Sequence, residues 1–267
     1  MFVSVVIESV CYNLYATINI CLATAERVQI LLGEFEADTF DKLFEGVRAL
    51  PLERFIGKND AFPVKGHSIS SALSSIPACQ SIIKKAAVKR LESVYHVSYF
   101  EETGAVHQLQ FNILKDKASI YLDTSGAGLH KRGYRRNSNA APIKETLAAG
   151  IIDLAQGRRD TGFCDPFCGS GTLLIEAAYK ALNIAPGLKR TFAAEKWDSL
   201  PENIWREERT RAMDSIIRDS DFYAYGYDID PECVALSTDN CAKAGVRNRI
   251  KIEKADIKDY VNRDNTL

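Results

Sequence analysis

Apolar and polar positions change period several times along the chain, and each change marks an element. Residues 18–32 mix Ala, Leu, Val and Ile with Glu26 and Arg27, which predicts a helix running into a strand; residues 38–46 open a short helix after a turn. Ile76 and Pro77 read as a chain break. Residues 79–91 then follow helical spacing, with Lys84, Lys85, Lys89 and Arg90 on the polar side. Strict alternation over 109–114 and 118–123, separated by Lys115, Asp116 and Lys117, predicts a β-hairpin. Three glycines and a basic run over 124–136 read as a linker, with a boundary near Gly126. Beyond it, helical stretches (141–155, with Pro142 in the first turn; 172–182; 231–245) alternate with short strands (162–167, 222–229, 250–255), which predicts a parallel sheet. Between them lies a polar stretch that holds both tryptophans, Trp197 and Trp205.

Composition narrows the picture modestly. At 267 residues and 46% hydrophobic content the chain can bury more than one core. With 34 Lys and Arg against 35 Asp and Glu, a polyanion must be held by a local patch and not by the net field. The seven cysteines are odd in number and scattered; only Cys164 and Cys168 are close, with no matching Cys or His pair, so reduced thiols and no metal site are expected. Residues 1–23 lack a basic start and are interrupted by Glu8, Asn13 and Asn19, unlike a signal peptide. No stretch reaches the ~20 uninterrupted apolar residues of a membrane span. A cytoplasmic protein with no membrane partner is expected.

Chemistry concentrates in Asp165, Pro166, Phe167, Cys168, Gly169, Ser170, Gly171 and Thr172, between an expected strand and an expected helix. Glycine there lets the backbone turn sharply and approach a ligand. A dinucleotide fingerprint would need a third glycine where Leu174 stands, and a P-loop would need a lysine after Gly171, so both weaken. The remaining reading is a ligand without pyrophosphate: Asp165 for a cationic amine, glycines making room for an amino-acid moiety. S-adenosyl-L-methionine has that chemistry. Asp228, at the end of the second strand and followed by Ile229, is the natural ribose ligand, with Asp230 its nearby rival; Asp256, before Ile257, can accept from an adenine amine at the end of the third strand. Singly, each acid reads equally well as a helix or turn cap. Their order along three strand ends carries the inference.

The chain resembles the THUMP-domain 23S rRNA (guanine-N2)-methyltransferases. The likeness spans roughly residues 17–260 and rests on DPFCGSGT (165–172), GYDIDP (226–231), LHKRGYR (129–135), APIKETLAAG (141–150), NIAPG (183–187) and the stretch from Phe62 to Ala86. It implies an α/β fold class: a truncated Rossmann-like methyltransferase domain preceded by an α+β ferredoxin-like/THUMP RNA-binding unit. The implied division is a partial ferredoxin-like unit at 1–45, THUMP at 46–125, a basic linker at 126–140 and the methyltransferase part at 141–267. The resemblance also implies that Lys144, Glu145 and Thr146 lie beside the cofactor. RNA, as large-subunit rRNA, is the implied partner; the residues themselves allow Lys131, Arg132, Arg135 and Arg136 to pair with phosphates and Tyr134 to stack on an unpaired base, with Lys84 and Lys85 as further cations, and the alternative reading of these charges is a solvated surface. The family's Asn-Pro-Pro-Tyr acceptor loop has no counterpart within these residues, so no catalytic residue is assigned. A fragment at both ends is expected, lacking the first ferredoxin-like strand and helix. The rival function is a noncatalytic RNA-binding module. A parallel sheet cut after three strands leaves a free edge, which predicts poor solubility or self-association.

Overall fold

The computed structural model describes residues 4–7, 12–135, 142–155 and 162–259. Its N-terminal part runs β1 (Ser4–Ile7), α1 (Tyr12–Cys21), β2 (Arg27–Glu36), α2 (Phe40–Ala49), β3 (Val64–Ile69), α3 (Ile76–Tyr95), β4 (Leu109–Leu114) and β5 (Lys117–Asp123). These strands form one five-stranded sheet in the order β1-β2-β5-β4-β3. The outer pairs are parallel and the inner ones antiparallel. Alternation sorts its faces: Val28, Ile30, Leu109, Phe111, Ile113, Ala118, Ile120 and Leu122 are buried in the core, while Gln110, Asn112 and Tyr121 point the other way. Lys115 and Asp116 adopt left-handed φ values of 51° and 62°, the two-residue turn that suits the hairpin twist.

Several expectations are corrected here. A strand and a helix do precede β2, because β1 pairs in parallel with it. A division at residue 45 would cut α2, whose N-terminus is capped by Thr39 accepting from the Lys42 amide. Pro77 does not break the chain; it sits in the first turn of α3, where its missing N–H costs no helical hydrogen bond.

The second part contains α4 (Glu145–Leu154), β6 (Phe163–Asp165), α5 (Thr172–Ala181), α6 (Ile204–Asp214), β7 (Ala224–Asp228), α7 (Pro231–Ala244) and β8 (Ile250–Lys254). The strands are parallel in the order β6-β7-β8. Among the described residues, the second edge of β6 has no partner strand. The helix expected over 141–155 begins only at Glu145: Lys144 is extended, and the Ile143 carbonyl accepts from Arg135 instead of joining a helical ladder.

The polar stretch around the tryptophans joins the two parts. Phe192, Trp197, Leu200, Ile204 and Trp205 are buried in the same core as the five-stranded sheet. Trp197 stacks on His107 at 4.6 Å and donates to the Val106 carbonyl. Gly187 packs so closely on α1 that a Cβ there would lie 2.7 Å from the Ile20 Cα, and its amide donates to the Ile20 carbonyl. The NIAPG motif is thus a crossing point that only glycine fits.

Candidate cofactor site and the buried linker

The loop after β6 is held from two strands. Asp165 accepts from the Phe167 amide at 3.0 Å, and the Cys168 amide donates to the Tyr227 carbonyl. Asp228, the last residue of β7, accepts from the Gly169 amide at 2.9 Å through one oxygen and from the Asp230 amide at 3.0 Å through the other. The Asp230 carboxylate is engaged elsewhere, accepting from the Glu232 amide and capping α7. The two acids left open by the sequence are thereby distinguished, with Asp228 facing the loop and Asp230 serving a helix. Asp256 accepts from the Lys258 amide in a turn just after β8.

Ser170 and Thr172 are buried and face each other at 3.0 Å, and Asn240 of α7 donates to the Ser170 carbonyl. Gly171 begins α5 at φ 76°, and a Cβ there would sit 3.1 Å from that of Ser237. Gly171→Ala is therefore expected to cost about 1–2 kcal/mol, read by urea denaturation, because an L side chain resists that conformation. An unchanged midpoint would show that the loop relaxes freely.

Phe167, Ile229 and Ile257 follow the three successive strands, and all are exposed. Large apolar groups thus stand exposed at three adjacent strand ends, at the carboxyl edge of the sheet where ligands of open α/β folds bind. Burial pushes the Asp165 carboxyl above the usual aspartate range, the Phe167 amide partly opposes this, and the nearby Asp228 charge adds to it. A carboxylate in that state gains from a cationic partner. Burial likewise raises the Cys168 thiol to about 12, which keeps it protonated and inert.

The basic segment expected to contact RNA is largely folded inward. Arg132 is 3% exposed; it donates to the Leu129 and Ala23 carbonyls and pairs with Glu176 of α5, itself 3% exposed. Tyr134 is 2% exposed and its hydroxyl donates to Glu176, so it cannot stack on a base. Arg135 pairs with Glu145 at 2.6 Å and reaches Thr172, which ties α4 to the start of α5. Glu145 therefore stands beside the loop with a carboxylate oxygen paired to Arg135, and Thr146, which follows it in α4, is buried. Thr124 and Ser125, read as linker, are buried and hydrogen-bonded to Asn19 of α1. Lys84 is also engaged, with Glu102, the Phe62 carbonyl and the Phe62 ring. Lys85 and Lys131 remain exposed, and Arg136 lies outside the described residues.

With this geometry in place, residues 132–266 match the family model described as the RMKL-like methyltransferase domain. The chain belongs to the RMKL-like methyltransferase family. Residues 37–123 of this RMKL-like protein also match the THUMP domain, entirely within the five-stranded unit. It is 42% identical over 244 residues to "Putative RNA methyltransferase YpsC" of Bacillus subtilis, covering 91% of this chain and 63% of that protein. It is 36% identical over 253 residues to "Ribosomal RNA large subunit methyltransferase K/L" of Psychromonas ingrahamii, covering 90% of this chain and 33% of that protein. The chain thus spans less than two thirds of these relatives. A solved structure of SMU.472, titled "a putative methyltransferase complexed with SAH", superposes with a TM-score of 0.89 at 38% identity, covering 94% of this chain and 67% of that one. The RMKL-like chain therefore combines an N-terminal THUMP unit with a Rossmann-like methyltransferase fold.

Proposed function

We propose that this chain binds S-adenosylmethionine at the β6–β8 edge and supplies the cofactor half of an RNA methyltransferase acting on the N2 amine of a guanine in large-subunit rRNA. The observation that carries the cofactor reading is the ordered set of acids at three strand ends, with exposed Phe167, Ile229 and Ile257 beside them. The residues fit the group. Asp165, raised by burial, suits an ammonium; Asp228 has an accepting carboxylate at the ribose position; the apolar side chains suit an adenine face. The SAH bound to SMU.472 and the rRNA-directed name of the Psychromonas relative support the reading.

The bound cofactor supplies an activated methyl on its sulfonium. The chain's own contribution is positioning: the Gly169–Gly171 backbone admits the amino-acid end, and Asp228 fixes both the loop and the sugar, which removes much of the entropic barrier. A guanine amine inside a duplex must first be exposed or flipped to reach the site.

Calorimetric titration of the folded chain with S-adenosylhomocysteine tests this. One site per chain is expected. Affinity should fall about tenfold per unit once pH drops below the raised Asp165 value, because protonation removes the charge that holds the ammonium. A folded chain that evolves no binding heat but retains RNA would instead favour a noncatalytic RNA-binding module.

A further inference from the structure

The residues that the sequence nominates for RNA are mostly consumed by internal contacts, yet the N-terminal unit has one broad surface that no element among the described residues covers. It is the polar face of the five-stranded sheet. Helices α2 and α3 pack on the opposite face, and on this one a groove of about 500 Å³ is lined by Arg27, Gln29, His67, Gln110, Asn112 and Tyr121. The register puts His67 beside Asn112, and Gln110 beside Tyr121. Exposed Ile69 and Leu114 pair at the far end of the same face.

We propose that this face docks an unpaired stretch of the RNA substrate, with Asn112, His67 and Tyr121 as its central contacts. The proposal rests on the RNA-methyltransferase reading and gives the substrate a surface. Between the ion pairs Arg27–Asp123 and Lys117–Glu34, the middle of this face carries amides and two flat rings, which suit base edges and base faces respectively. The Asn112 Oδ1 atom is buried without a hydrogen-bond partner, an acceptor that an exocyclic base amine would satisfy. Gln29 and Gln110 already bond each other, so they present a fixed edge.

Charge selects single strands over duplex. Arg27 is tied to Asp123, and Lys117 to Glu34. That leaves Lys65 as an exposed cationic side chain of this face without an ion pair among the described residues. One phosphate contact would give a slope of log K against log salt of about −0.7, far shallower than backbone-dominated duplex binding.

Fluorescence anisotropy with a labelled mixed-sequence 12-nucleotide RNA, alone or annealed to its complement, tests the surface on the full chain. The single strand should bind at least about tenfold tighter than the duplex, with the shallow salt slope. Asn112→Ala and Tyr121→Ala should each weaken it about tenfold. His67→Ala, at an exposed site, should do so without altering the melting temperature. Lys42→Ala, on α2 in the opposite layer, should bind as wild type. Photocross-links should map to β3, β4 and β5. Duplex preference, unchanged binding by all three face variants, loss in Lys42→Ala, or no RNA binding by the wild-type chain would each overturn the proposal; the last would leave the face to a protein partner. Titration with S-adenosylhomocysteine in parallel separates the two readings: cofactor binding without RNA docking removes only the surface, and RNA docking without cofactor binding removes only the enzyme.

Discussion

Asp228→Ala should raise the dissociation constant for S-adenosylhomocysteine by on the order of 100-fold, and Asp230→Ala should leave it within about threefold. A hydroxyl donating to a carboxylate contributes about 1.5–3 kcal/mol, so a ribose that loses two such bonds loses two decades of affinity or more. The same substitution frees the Gly169 and Asp230 amides, which the Asp228 oxygens now hold, so the loop also loses its preorganisation. Asp228→Asn keeps one acceptor and the side-chain shape, and should fall between, about tenfold weaker. Asp230→Ala removes an N-cap from α7 and should cost ~1 kcal/mol of stability, visible in denaturation and not in the titration. Calorimetry on the four proteins decides the matter. A large loss in Asp230→Ala with wild-type affinity in Asp228→Ala would exchange the two roles.

The part of this site that was legible in the sequence is the part where backbone demands dictate residue type. A strand must end, turn and feed a helix within a few residues, so Asp165 to Thr172 carries glycines at φ values of 50° and 76°, the left-handed region that glycine enters without steric cost. The β4–β5 hairpin was legible for a similar reason, since period-two alternation survives on a sheet with one covered face. Long-range partners were not legible. Arg132 meets Glu176 across 44 positions of sequence, and a run of Lys and Arg looks the same whether it faces solvent or a buried carboxylate. Glu176 lies inside an amphipathic helix where it reads as an ordinary polar residue. The tryptophans posed the same problem: nothing local shows that Trp197 will stack on His107, 90 residues earlier in the chain and in the other unit. The late start of α4 follows from such a contact too, because Arg135 takes the Ile143 carbonyl.

The second large effect follows from that hidden pairing. Arg132→Ala should destabilise the chain by about 3–5 kcal/mol, lowering its melting temperature by roughly 10 °C, because it strands a buried carboxylate. Glu176 is already held above the usual carboxylate range, by burial first, with Arg132 opposing. Removing Arg132 raises it further. In acid, below the ordinary glutamate value, Glu176 is protonated folded and unfolded alike, and the substitution costs little beyond lost packing and the carbonyl contacts. As pH rises, the unfolded chain ionises freely while the folded variant resists, so the cost grows through the window up to the variant's own raised value. Urea denaturation at pH 4.5 and pH 8 should therefore give a clearly larger loss at the higher pH. Arg132→Met with Glu176→Leu, which removes both charges and keeps volume, should recover most of it. A cost below about 1 kcal/mol with no pH dependence would show that Arg132 is solvent-facing, and would return it to the RNA contacts. Arg132 also bonds the Ala23 carbonyl just beyond α1, while Glu176 sits one turn into the helix that Gly171 begins. The arginine thus fastens the THUMP-bearing unit to the helix that follows the glycine loop, so a destabilised variant is also one in which the two proposed binding surfaces are less firmly registered.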